Sequence, residues 1–137
     1  MTILHKVFHF CAAHRYYNPA FSDEQNLAAF GEDLKLHGHN YELTVSVTGE
    51  VNPDTGFLCD LGLLKQVVGE KVIARLDHAH IDAEIDEFRT QQPSTENLVR
   101  WIWQQLAAQE LGCRLWRVRL RETPTIYTDH YGDAGRE

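Results

Sequence analysis

His37–Glu50 reads HGHNYELTVSVTGE. Its odd positions carry His37, His39, Tyr41, Leu43, Val45 and Val47, while the even positions from 42 carry Glu42, Thr44, Ser46 and Thr48. A period of two sends alternate side chains to opposite faces of a pleat, so this is a half-buried strand with two imidazoles at the start of its apolar face. Residues two apart in a strand project the same way about 6 to 7 Å apart. An HxH pair with Gly38 between can therefore aim both rings at one ion. Upstream, HKVFHFCAAH (5–14) places Phe8, Phe10, Ala12 and His14 on one side of a second strand.

Downstream, GEVNPDTG supplies turn residues, and DLGLLKQVVGEKVIARL spaces Leu61, Leu64, Val68, Val72 and Leu76 as one helix face, with Asp60 as N-cap. Two internal glycines, Gly62 and Gly69, weaken that helix slightly. An irregular acidic stretch, DHAHIDAEIDEFRTQQ, separates it from PSTENLVRWIWQQLAAQELG, a helix with a Ser/Thr cap that closes on Gly112 and turns Leu98, Ile102 and Leu106 inward. RLWRVRLRET then alternates Trp116, Val118 and Leu120 against Arg117, Arg119 and Arg121, and PTIYTDHY is its hairpin partner. GDAGRE is expected to fray. Residues 15–36 form a long insertion, with a short helix predicted from Ser22 to Gly31; insertions of this length are usually functional. The order is strand, strand, helix, helix, strand, strand.

A length of 137 residues fits a single domain over 1–137, and 43% apolar with 24% charged residues is a globular composition. A net charge of -7 argues against nucleic acid or an anionic membrane as the main partner and leaves a small molecule open. The N-terminus has neither a signal-peptide pattern nor a membrane span, so a cytoplasmic address is expected. Cys11, Cys59 and Cys113 form no CxxC pair, and an odd count is a poor disulfide framework. They read as buried thiols.

The chemistry converges on strand ends. An HxH alone fits a packing role as well as a ligand role, but His14 at the end of a parity-matched strand adds a third imidazole to His37 and His39. Three histidines with an open fourth position are the donor set of catalytic zinc, although copper, nickel and iron are chemically possible. Asp77 and His78 follow the first long helix, where a carboxylate beside an imidazole could shuttle a proton near neutral pH or merely end the helix. Glu122 ends an apolar strand face, where an unpaired carboxylate costs several kcal/mol to bury. It calls for a partner such as a guanidine-like heterocycle edge with two parallel N–H groups. His5, His9 and His130 read as plain strand residues and His80 as a loop residue.

In order and spacing, AAH, LHGHNY, TGFLCDLGLLK, LDH, PSTENL and RET resemble the 6-pyruvoyltetrahydropterin synthase and 6-carboxytetrahydropterin synthase family over nearly the whole chain. The resemblance implies an α+β tunnelling fold, ββααββ, with an antiparallel four-stranded sheet, two helices on one face, and a barrel closed by homo-oligomerisation into trimers that stack as a hexamer. It implies Zn2+ on His14, His37 and His39, a proton relay at Asp77 and His78, a pterin anchor at Glu122, and pocket residues at Thr95 and Glu96. Sites shared between subunits and a 7,8-dihydroneopterin triphosphate substrate are also implied. The family's catalytic cysteine stands shortly before HGH; here that place is Asp33, preceded by Glu32. An ordinary Asp is roughly 4.6 pKa units more acidic than Cys, a deficit of roughly 6 kcal/mol in basicity. Burial beside other carboxylates would recover part of it. Relatives with a glutamate near that place, closer to HGH than Asp33 is, are thought to release a 6-hydroxymethylpterin. Cys11 faces away from His14 by parity, and Cys59 and Cys113 flank helices, so none is expected to replace the thiol. The alternatives are a pterin- or purine-binding homologue without turnover and a purely structural barrel subunit.

Overall fold

The computed structural model describes residues 1–133, so the last four residues of the expected fraying end lie outside the described residues. Strands β1 (Ile3–His14), β2 (His37–Thr48), β3 (Arg114–Thr123) and β4 (Ile126–His130) form one antiparallel sheet in the order β1-β2-β3-β4. Helices α1 (Asp23–Phe30), α2 (Leu61–Val68), α3 (Ala74–Leu76), α4 (Ile81–Glu84) and α5 (Thr95–Ala107) occupy the connections.

β1 and β2 pair without a break, from Ile3 opposite Thr48 to His14 opposite His37. This register carries the site, because it sets Ala12 opposite His39 and so brings three imidazoles to one corner of one face. That same face buries Phe10, Ala12, Tyr41, Leu43, Val45 and Val47 against Leu64, Val68, Leu98, Ile102 and Leu106 of the helices. Gly38 lies opposite Ala13, and a Cβ there would stand 3.2 Å from the Ala12 carbonyl oxygen. A residue without a side chain keeps the two strands close between the histidines.

The predicted helix from Asp60 is capped by that residue, whose carboxylate accepts the Leu63 N–H at 3.2 Å. It does not run on evenly. At Gly69 the winding loosens to a π-helical turn through Ile73 before α3 resumes, which keeps both Val72 and Leu76 buried. α1 begins where predicted, closed by a capping box between Ser22 and Gln25, and passes into a 3-10 turn, Gly31–Leu34, that carries Glu32 and Asp33. α5 is capped by Ser94 but ends at Ala107, five residues before Gly112, whose φ of +72° turns the chain into β3.

Two departures from simple alternation lie in β3. The pairing with β2 shifts between Ser46 and Val47, so that Leu115, not Trp116, faces Val47 and packs on the core. Trp116 is the extra residue of a bulge and meets Tyr131 edge-on, 5.2 Å between ring centroids. The pairing with β4 shifts again between Arg121 and Thr123, leaving Glu122 as the unpaired residue. The polar face of β2 is also drier than its composition implies. Ser46 is fully buried beneath His5 and Arg117, whose Nδ1 and Nη2 lie 2.6 and 3.2 Å from its hydroxyl. Arg119 makes a two-point pair with Asp129 at 2.7 and 2.9 Å on the same face.

The acidic stretch after α3 is ordered by the sheet edge. Ala13 N–H donates to Ala79 at 2.8 Å and His78 N–H to Cys11 at 2.6 Å, so residues 78–80 run beside β1 as a short parallel addition. Of the thiols, Cys59 is buried, while Cys11 and Cys113 are half-buried.

Candidate metal centre and adjoining cleft

His14, His37 and His39 meet where β1 and β2 end. Their ring centroids stand 4.6, 5.1 and 5.2 Å apart in pairs, and one nitrogen from each lies within 4.8 Å of the others. His14 Nδ1 donates to the Pro93 carbonyl at 2.8 Å and His37 Nδ1 to the Lys35 carbonyl at 2.7 Å. A carbonyl can only accept, so each ring keeps its proton on Nδ1 and leaves the Nε2 lone pair free. The Nε2 atoms of His14 and His39 are buried and have no hydrogen-bond partner. Buried polar atoms are normally satisfied, and converging imidazole nitrogens with free lone pairs are what a divalent metal requires. Among the described residues, the donor set fits an ion.

The electrostatics agree. Burial pulls His14 down to about 4 against the opposing pull of the Pro93 carbonyl, with the two neighbouring imidazoles adding smaller downward contributions. Burial and His37 also lower His39. Burial thus favours the neutral form of His14 and of His39. Because His14 holds its proton less well folded than unfolded, the stability it contributes is present above about pH 6.5 and lost as the pH falls toward about 4. Urea melts of metal-free protein should show a loss on the order of 3 kcal/mol across that window from this residue. A flat stability down to pH 4.5 would contradict neutral burial of His14.

Glu122 approaches the same corner from β3. Its carboxylate lies 3.3 Å from His39 Nε2, off the line of a hydrogen bond, and its side chain is 15% exposed. Burial raises its pKa, with Asp33 and Glu96 adding to the rise and His37 opposing it. It continues the face of Val118 and Leu120, at the place where the pairing with β4 slips. A cleft of about 330 Å³ joins Glu122 to Asp33, Thr95, Glu96, Tyr16 and Phe30. Thr95 donates to Glu96 at 2.7 Å and accepts from Thr128 at 3.1 Å. Tyr16 and Phe30 stack at 5.6 Å with rings 15° from parallel, making a flat aromatic wall. These two aromatics were not singled out in the sequence, although RYY and AAFG in the long insertion held the signal.

Asp33 stands 3.8 Å from His37 Nε2 with its side chain 61% exposed. Glu32 points into solvent and pairs with Lys35 at 3.1 Å. Asp77 and His78 do touch, at 3.1 Å, and His78 adopts a left-handed φ of +64° that is uncommon for a residue with a side chain. The Cys11 N–H donates to Asp77 at 3.0 Å, and this bond, with His78, holds the Asp77 carboxyl below its ordinary range. Cys11 Sγ lies 3.8 Å from the same carboxylate. Strand parity puts Cys11 on the face opposite His14, and the segment 77–79 wraps the edge of β1 onto that side. Within one chain the structure therefore brings together His14, His37, His39, Asp33, Thr95, Glu96 and Glu122, and gathers Asp77, His78 and Cys11 elsewhere. No helix among the described residues is long and apolar enough to cross a membrane.

Residues 3–133 match the family model described as 6-pyruvoyl tetrahydropterin synthase. A 6-pyruvoyl tetrahydrobiopterin synthase of Pongo abelii is 38% identical over 126 residues, covering 90% of this chain and 87% of the relative. A putative 6-carboxy-5,6,7,8-tetrahydropterin synthase of Archaeoglobus fulgidus is 32% identical over 103 residues, covering 75% and 82%. The solved structure of the Caenorhabditis elegans 6-pyruvoyl tetrahydropterin synthase superposes with a TM-score of 0.90 at 30% identity, covering 96% of both chains. The β1-β2-β3-β4 sheet with its helices is thus the tunnelling fold, and the chain belongs to the 6-pyruvoyl tetrahydropterin synthase family.

Proposed function

We propose that the protein is a zinc-dependent pterin lyase that converts 7,8-dihydroneopterin triphosphate, or a close relative, to a pterin with a modified or cleaved side chain. The observation that carries this reading is the pair of orphaned, buried Nε2 atoms on His14 and His39, with the Glu122 carboxylate that lines the adjoining cleft standing 3.3 Å from the latter. Zinc held by His14, His37 and His39 would supply Lewis acidity toward a side-chain hydroxyl of the substrate. Glu122 accepts the two parallel N–H groups of the pterin ring, a two-point geometry that a carboxylate matches. Thr95 and Glu96 line the same pocket, and Tyr16 with Phe30 gives the ring a flat surface on which to lie.

Asp33 takes the proton task of the family's thiol. It is the carboxylate beside His37 in the cleft, whereas Glu32 is engaged with Lys35 in solvent. A carboxylate suits removal of a hydroxyl proton better than of a carbon-bound one, which favours products formed by side-chain cleavage. Asp77 and His78 lie across β1 from their own chain's histidines, so their relay role requires a second subunit. A hexamer of two stacked trimers, with sites shared between neighbours, meets that need. Within this scheme Cys11 is the thiol that would accompany Asp77 and His78.

The test is product identification by mass spectrometry with zinc-loaded wild type, Asp33→Asn, Glu32→Ala and Cys11→Ser. Asp33→Asn is expected to lower kcat by roughly 10²- to 10⁴-fold with KM little changed, and Glu32→Ala to stay within about threefold. If Cys11→Ser alone abolishes turnover, the thiol and not Asp33 moves the proton. A second reading, ligand binding without chemistry, is favoured by the carboxylate standing where the family has its thiol. Tight pterin binding with no product from the wild type would establish it.

A further inference from the structure

Away from the cleft, the sulfurs of Cys59 and Cys113 lie 2.8 Å apart, although the residues are 54 positions apart in sequence. Both thiols are free. Cys59 is buried between Leu58 and the α2 cap Asp60, and Cys113 follows the φ-positive Gly112 at the start of β3. Each sulfur also has a backbone carbonyl for its proton: Leu111 O stands 3.5 Å from Cys113 and 3.9 Å from Cys59. The backbone on both sides is held, by the Asp60 cap on one and by β3 pairing on the other. The two sulfurs are therefore brought together by elements that have other reasons to be where they are.

We propose that Cys59 and Cys113 are a disulfide-forming pair, a covalent cross-link that fastens the β2–α2 connection to the entry of β3 when the protein meets a disulfide oxidant such as oxidised glutathione. A disulfide needs about 2.05 Å between sulfurs, so a movement of under about 1 Å closes it, small enough for side-chain adjustment alone. One protein thiolate attacks a glutathione sulfur, breaking the glutathione disulfide and releasing one reduced glutathione. The second protein thiolate attacks the mixed disulfide and releases the other. Two protein S–H groups are oxidised, one glutathione disulfide is reduced to two thiols, and the two protons end on those thiols. The reaction is slow at neutral pH, because burial, the Cys59 thiol and Glu110 push Cys113 up to about 12. The link then closes a long loop and restricts the unfolded chain.

The test takes the whole protein, reduced and then incubated with oxidised glutathione, beside Cys113→Ser, Cys59→Ala and Cys11→Ser. The expected result is a mass lower by two hydrogens, a peptide joining Cys59 to Cys113, and one titratable thiol after denaturation where the reduced protein has three. The link forms about tenfold faster per pH unit between pH 7 and 9, raises Tm by roughly 5 to 15 °C, and is reversed by dithiothreitol. Cys11→Ser keeps the link, and Cys113→Ser and Cys59→Ala each lose it. Three titratable thiols after oxidation, a linked peptide containing Cys11, or a glutathione adduct that persists on either residue would overturn the proposal. None of these readouts depends on turnover, so its failure leaves the proposed activity standing.

Discussion

His14→Ala should leave a folded protein that no longer retains zinc through dialysis and turns over substrate at least about 10³-fold more slowly, on the order of 4 kcal/mol in transition-state stabilisation. His14 is fully buried, and its Nδ1 donates to the Pro93 carbonyl, so the truncation also removes a hydrogen bond and leaves a small void. A stability loss of about 2 to 4 kcal/mol accompanies it. His37→Ala separates the two effects. Its ring is only half-buried, so metal retention and turnover fall while the melting temperature changes little. Full activity in His37→Ala with stoichiometric zinc would remove that residue from the centre.

Glu122→Gln carries the second large expectation. The amide keeps the shape of the side chain but replaces one acceptor oxygen with a donor, leaving one ring N–H unmatched and a donor facing another. Pterin affinity should fall by roughly 10²- to 10³-fold, about 3 to 4 kcal/mol, as for a buried charged hydrogen bond lost with its partner retained. Zinc binding should persist. Stability should not fall either, and the sign follows from the pKa. Burial raises the Glu122 pKa, so folding disfavours the ionised form and the wild type gives up stability as the pH rises through that value. The neutral amide lacks this cost. Isothermal titration with a pterin ligand, run beside a thermal melt at neutral pH, reads both effects. Unchanged affinity would mean that the ring is held elsewhere.

Much of the fold was readable because parity and turn chemistry act locally. The alternation of 37–48 places His37 and His39 on the face of Tyr41 and Leu43, and the antiparallel register with β1 then has only one way to add His14. The capping residues Asp60 and Ser94 were equally plain, since an oxygen before an apolar run answers a helix's free N–H groups. What alternation alone does not reveal is a change of period. Trp116 follows the apolar pattern of its neighbours yet leaves the core, because one inserted residue moves Leu115 into its place. The π-helical turn at Gly69 is a similar change of winding inside an otherwise regular helix.

The site divides in the same way. Glu122 was identified from its place at the end of an apolar face, but the slip in β4 pairing beside it is announced by no pattern. Asp77 and His78 were read as a proton shuttle or a plain helix end, and their side chains do touch. Their contact with Cys11 depends on residues 78–80 running along the edge of β1, a tertiary pairing outside the reach of local signals. The approach of Cys59 to Cys113 is of the same kind, set by the packing of two connections far apart in sequence.

X-ray absorption at the zinc edge, on protein reconstituted with one equivalent of the metal, addresses the central claim most directly. Three imidazole nitrogens and one light-atom ligand at about 2.0 to 2.1 Å are predicted, with the imidazole signal reduced by one in His37→Ala. A sulfur ligand at about 2.3 Å, or a six-oxygen shell like that of loosely held zinc, would contradict the assignment of the ion to His14, His37 and His39.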